Sequence, residues 1–177
     1  MTTRVTTQPR ILVAGIGNIF LGDDAFGCEV LRRLVARRLP AGVEALDFGI
    51  RGFDLAYRIL RGYDAVVLVD AAPRGGPPGT LYVIEPEIDA LAADQADSAV
   101  EGHSLSPARV LQLVRMLGGE LPRLRLVGCE PAAISGNDEL PSGLSPEVAA
   151  AVEPAVELID SLLEQLAGEL CTSLGEK

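Results

Sequence analysis

The apolar run Ile11-Leu12-Val13-Ala14 passes directly into Gly15-Ile16-Gly17-Asn18-Ile19-Phe20-Leu21-Gly22-Asp23-Asp24-Ala25-Phe26-Gly27. This is the outline of a buried strand, a glycine-bent loop and a helix start. It constrains the chain more than any other segment, because a strand that feeds a helix through a tight loop commits the chain to a βαβ crossover. Such junctions point backbone N–H groups at an anion. Here the loop carries two adjacent carboxylates, Asp23 and Asp24, which repel phosphate and attract cations. The glycine spacing also departs from dinucleotide binding: after Gly15 and Gly17 the third glycine is Gly22, not residue 20. The segment reads as a nucleotide-type loop refitted for a cation.

The rest of the chain repeats the alternation of short apolar runs and helical stripes. Strands are expected at Ile11–Ala14, Val43–Phe48, Ala65–Val69, Thr80–Ile84 and Leu124–Gly128. The third is apolar throughout and is placed centrally. A first helix is expected from Ala25 to Arg38, with Phe26, Val30, Leu31, Leu34 and Val35 inward and Arg32, Arg33, Arg37 and Arg38 on a solvated face. A short helix carries Phe53, Ala56, Tyr57 and Leu60. Ser106-Pro107 and Ser145-Pro146 are helix starts, a capping serine followed by proline. Pro154 interrupts the last stripe and is expected to kink or divide that helix. Residues 86–103 read as an acidic loop with a short turn at Ile88–Ala93. The expected architecture is α/β: a three-layer sandwich with a five-stranded, mostly parallel twisted sheet and helices on both faces.

At 177 residues the chain is read as one domain over 1–177, with a core of about 10–168 and polar ends at 1–9 and 169–177. That length can bury roughly 70% of the unfolded surface. The net charge of −10 argues against sequence-independent nucleic-acid binding. Three scattered cysteines, Cys28, Cys129 and Cys171, suit a reducing compartment. The first ten residues are polar, unlike a secretory signal. No apolar run reaches the roughly 18 residues of a membrane helix. A cytoplasmic, membrane-free protein is expected.

Ligands of open α/β sheets bind beyond the carboxyl ends of the strands. Asp23 and Asp24 follow strand one, Asp70 closes strand three, and the single histidine, His103, precedes the Ser106 helix. Were strands one and three neighbours, Asp24 and Asp70 would reach one cation. Two carboxylates and an imidazole suit nickel or zinc better than calcium, with coordination positions left open. Each residue also has a plainer reading. Asp23 or Asp24 could cap the helix, Asp70 could be a solvated strand end, His103 a surface residue, and Asp47 a turn residue before Gly49. Cys28 and Cys129 read as core. No G-x-S-x-G elbow and no H-E-x-x-H motif is present.

The Gly15–Gly27 segment resembles the N-terminal signature of the nickel–iron hydrogenase maturation endopeptidases, the hydrogenase maturation proteases. The resemblance continues through Leu68-Val69-Asp70-Ala71, His103, Val127-Gly128-Cys129-Glu130-Pro131, Gly143-Leu144-Ser145-Pro146 and Ala151-Val152-Glu153-Pro154-Ala155-Val156. It spans about residues 10–165. It implies a phosphorylase/hydrolase-like fold in which Thr80–Ile84 is the antiparallel strand. It implies an endopeptidase, aspartic-type or metal-dependent, that removes the C-terminal extension of a hydrogenase large-subunit precursor after nickel insertion.

The family's metal-contacting and catalytic positions map onto Asp24, Asp70 and His103. The nickel would be carried by the precursor and would complete their shell, although another divalent metal could occupy the site in vitro. A metal-polarised carbonyl attacked by water, with Asp24 or Asp70 as base, fits better than two Asp sharing a proton at about 3 Å. Many members have D-G-G-T-x-G after strand two. This chain has Asp47-Phe48-Gly49-Ile50-Arg51-Gly52, and Asp47, Gly49 and Gly52 are assigned to substrate recognition. The expected partner is the precursor alone, met by a monomer. The alternatives are a non-enzymatic nickel-binding accessory protein and a small-molecule or nucleoside hydrolase on a similar sheet.

Overall fold

A computed structural model of the chain describes residues 8–86, 106–132 and 143–175, with side chains to residue 172. Five strands, β1 (Ile11–Ile16), β2 (Val43–Gly49), β3 (Ala65–Ala71), β4 (Leu81–Ile84) and β5 (Arg123–Cys129), form one sheet in the order β2-β1-β3-β5-β4. All neighbours are parallel except β4, which runs antiparallel to β5. The mixed five-stranded sheet and its antiparallel strand are therefore as expected.

Period-two alternation divides the apolar side chains between two layers. Ile11, Val13, Val67 and Val69 face α1 (Phe26–Leu34) and α4 (Pro146–Gly175). Leu12, Ala14, Ile16, Val66 and Leu68 face α2 (Gly52–Ile59) and α3 (Pro107–Met116). β1 and β3 are covered on both faces, so Ile11–Ala14 and Ala65–Val69 are apolar without a break. The chain leaves β1 toward β2 over one face and returns to β3 over the other. The topological switch point thus falls between β1 and β3, where such sheets hold ligands.

Two helical expectations change. α1 stops at Leu34, because the chain turns there, and Val35 is 53% exposed rather than in the core. Its arginines are exposed but not merely solvated. Arg32 and Arg33 pair with Glu29, and Arg33 and Arg37 reach Glu153 on α4, with Arg37 also 3.4 Å from Asp160. Pro154 does not divide α4, which is one 30-residue helix. Its buried stripe of Val148, Val152, Ala155, Val156 and Ile159 packs on α1 and the sheet, and that packing outweighs the missing N–H. No helix among the described residues is long and apolar enough to cross a membrane.

Candidate active site

β1 and β3 lie side by side, with Gly15 paired to Val69, so Asp70 stands next to the end of β1. α1 starts in the crotch between them. A Cβ on Gly27 would lie 2.2 Å from the carbonyl oxygens of both Ile16 and Val69, so only glycine lets the helix seat there. Gly17, at φ +142°, makes the second close approach, since its Cβ would meet the Asp24 carbonyl oxygen at 1.8 Å. These two glycines bring a single 3-10 turn, Gly22–Ala25, down onto the end of β1.

That turn delivers Asp24. Its Oδ2 accepts from the Asn18 N–H at 2.7 Å, and its own N–H donates to Leu21 O at 3.1 Å. Asp70 Oδ1 accepts from the Ala71 N–H at 2.8 Å. Burial pushes the Asp70 carboxyl up to about 8, the nearby Asp24 charge adds to this, and the Ala71 bond opposes it. Among the described residues, neither acid has a cationic partner, and Asp24 Oδ1 and Asp70 Oδ2 accept no hydrogen bond.

Asp47 joins this neighbourhood from β2. The β1–β2 register slips by one residue here, with Gly15 opposite Asp47 and Ile16 opposite Gly49. Asp47 is exposed, and its Oδ1 accepts from the Gly49 N–H at 2.9 Å. Arg51 curls back to donate to Asp47 O at 2.6 Å and Phe48 O at 3.2 Å. The departure from the family pattern is thus absorbed locally. Phe48 is buried, Arg51 closes its own turn, and Ile50 is exposed next to Gly52, which opens α2.

Cys28 records the convergence of the acids. Burial pushes its thiol up to about 12, and Asp47, Asp24 and Asp70 all add to the rise. Burial likewise raises Cys129 to about 11, helped by Asp23 and Glu130. Neither thiol supplies a nucleophilic thiolate near neutral pH, and both are core residues as expected. A cavity of about 680 Å³ opens beside Asp47 and Cys28, walled by α1, Leu144 and Val152.

Asp23 caps neither the 3-10 turn nor α1; both lack a side-chain cap. Its Oδ2 accepts from the Ala132 N–H at 2.8 Å and the Ser145 hydroxyl at 2.9 Å, and its Oδ1 from the Ser145 N–H at 2.6 Å. The Ser145 hydroxyl therefore turns to Asp23, whereas Ser106 Oγ caps α3 through the Arg109 N–H as expected.

Sequence reasoning also missed Glu130. It is 5% exposed and accepts from the Arg74 and Gly75 N–H groups and from Tyr82 Oη. Burial alone would raise its carboxyl, but the bonds from Arg74, Tyr82, Gly75 and Gly76 hold it below the usual range. The signals were an acid placed directly after an apolar strand and its place in the Val127–Pro131 motif, to which no role was given.

His103 lies outside the described residues, as do Ser104 and the Ile88–Ala93 turn. Among the described residues no three His, Cys, Asp or Glu side chains gather at metal-binding spacing. The two acids come together at the switch point without the expected third group in view.

The HycI hydrogenase maturation protease family model matches residues 28–162. The hydrogenase 2 maturation protease of Escherichia coli K12 is 35% identical over 159 residues, covering 88% of this chain and 92% of that protein. The solved hydrogenase maturating endopeptidase HybD from E. coli superposes with a TM-score of 0.72 at 34% identity, covering 88% and 93% of the two chains. The hydrogenase 2 maturation peptidase of a Thaumarchaeota archaeon gives 0.63 at 33% identity, covering 87% and 97%. The open mixed sheet, the acids at its switch point and these similarities lead to one conclusion: the chain belongs to the hydrogenase maturation protease family.

Proposed function

We propose that the protein is an endopeptidase that removes the C-terminal extension of a nickel–iron hydrogenase large-subunit precursor, and that it acts once nickel is in place. The observation that carries this reading is the pair Asp24 and Asp70. They meet at the β1/β3 switch point, no described cation neutralises them, and each keeps one carboxylate oxygen outside every described hydrogen bond. Two close carboxylates, one with its pKa raised, are relieved by a positive charge placed between them. In this reading the precursor's nickel is that charge, and His103 contributes the third contact. Nickel enters as part of the substrate, and binding awaits it because without it the contact that docks the precursor is absent.

The chemistry asked of the chain is general acid–base catalysis. With the precursor's nickel between the acids, Asp24 or Asp70 acts as the base: its carboxylate takes a proton from the water that attacks the scissile carbonyl and passes that proton to the departing amine nitrogen as the C–N bond breaks. Asp47 lines the cavity, Gly49 ends β2 and Gly52 opens α2, and in this reading the three contact the precursor. The three free cysteines fit a reducing compartment such as the cytoplasm; the protein is proposed to act there as a monomer.

The test is mass spectrometry of the large subunit incubated with the protein, with nickel-loaded and nickel-free precursor in parallel. The expected outcome is a shortened C terminus only with nickel, and none with Asp24→Ala, Asp70→Ala or His103→Ala. Equal processing of nickel-free precursor, or full cleavage by Asp70→Ala, overturns the reading.

A further inference from the structure

We infer that Asp23 is a positioning residue, whose bonds to Ala132 and Ser145 set the direction in which Asp24 points. The inference rests on the role proposed above for Asp24. The turn that carries both acids is four residues long and has no side-chain cap at its start or at the start of α1. Its local restraints are few: Asp24 N–H to Leu21 O, and Phe26 N–H to Asp23 O. Against these stand three short bonds from Asp23 to two distant parts of the chain, 109 and 122 residues away.

The donors belong to the segments that flank the site. Ala132 lies just beyond the end of β5, and Ser145 immediately precedes α4. Carboxylate acceptors make the stronger class of hydrogen bond. Both oxygens of Asp23 are engaged, so its side chain has little freedom to rotate. Asp24 is the next residue, and its carboxylate has one described hydrogen bond, from the Asn18 N–H. With the turn anchored through Asp23, Asp24 Oδ2 meets Asn18 and Oδ1 stays free for substrate. Without that anchor, the aim rests on the single Asn18 bond, the turn's own backbone and the seating of Gly17 and Gly27.

A purely structural staple would lower stability and leave turnover per folded molecule unchanged. The experiment therefore compares Asp23→Ala with Val156→Ala, which opens a core space in α4 away from the site. Two quantities are read on each: kcat and KM on nickel-loaded precursor per folded molecule, and hydrogen exchange of the Asn18 amide by NMR. For Asp23→Ala, kcat falls about tenfold to hundredfold, with a much smaller change in KM. Its Asn18 amide exchanges about tenfold faster than in Val156→Ala at matched stability. Should Asp23→Ala not fold, Ser145→Ala, which removes one of the three bonds, shows the same pattern at smaller size. A kcat equal to that of Val156→Ala, or an Asn18 amide protected as in the wild type, overturns the inference. If the wild type cleaves no precursor, the proposed function fails, and Asn18 exchange alone decides the positioning claim.

Discussion

Where the strands begin, Glu44 on β2 accepts from Arg58 and, at 3.0 Å, from Tyr63 Oη, with Arg10 at 3.9 Å. Asp64 beside it accepts from the Arg10 N–H at 2.7 Å, and the Arg10 guanidinium lies 4.8 Å from the Tyr63 ring centre. Where the strands finish, Asp24 and Asp70 have only backbone N–H donors among the described residues. The same chemical group is therefore driven in opposite directions. The Arg58 hydrogen bond first, then Tyr63 and Arg10, hold the Glu44 carboxyl below its usual range, while burial and Asp24 lift Asp70 to about 8. One end uses acids to hold elements together. The other keeps acids together at a cost in stability, which is the pattern of a site waiting for charge to arrive.

Asp70→Asn probes the costly end. Between its ordinary value and about 8, folded Asp70 keeps a proton that the unfolded chain releases, so its presence lowers stability as pH rises. The variant should be more stable than wild type by about 2–5 kcal/mol at pH 8, shrinking toward zero near pH 4. Urea unfolding at the two pH values measures this, and an unchanged stability at pH 8 would remove the contrast. Next in size is Gly27→Ala, whose new methyl meets two backbone oxygens. It should cost about 1–3 kcal/mol or more by thermal melts, and it should lower cleavage because the turn shifts. Smallest is Glu44→Gln at the paired end. A half-exposed pair is worth about 0.5–1 kcal/mol. That loss should appear at pH 7 and fade as pH falls through the carboxylate range, since the stabilisation of an acid with a lowered pKa is lost on protonation. Cleavage should not change. If Glu44→Gln slowed cleavage as much as Gly27→Ala, the two ends would not be functionally separate.

Much of the fold was legible in the residues themselves. An uninterrupted apolar run at Ala65–Val69 marks a strand covered on both faces, and β3 is that strand. Alternating runs and stripes are enough to dictate a layered α/β sheet, because each period can bury its apolar side in only one way. Local signals failed where tertiary packing competed with them. Pro154 was outweighed by the buried face of α4, and Val35 lost its place in the core when the chain turned after Leu34.

The sequence by itself determined which residues could do chemistry here: the Asp23-Asp24 doublet at a glycine-bent junction and the acid that ends a wholly apolar strand. Residue type and local spacing did not separate Asp23 from Asp24; the family resemblance singled out Asp24 for the metal. What Asp23 does instead was decided by tertiary structure. Asp23 turns to Ala132 and Ser145, more than a hundred residues away, because unpaired N–H groups at the end of β5 and the start of α4 arrive there needing an acceptor. Asp24 is left near enough to Asp70, at the switch point, for its charge to raise the Asp70 carboxyl. The sheet order that makes β1 and β3 neighbours is a long-range pairing, set by how the helices pack on its two faces.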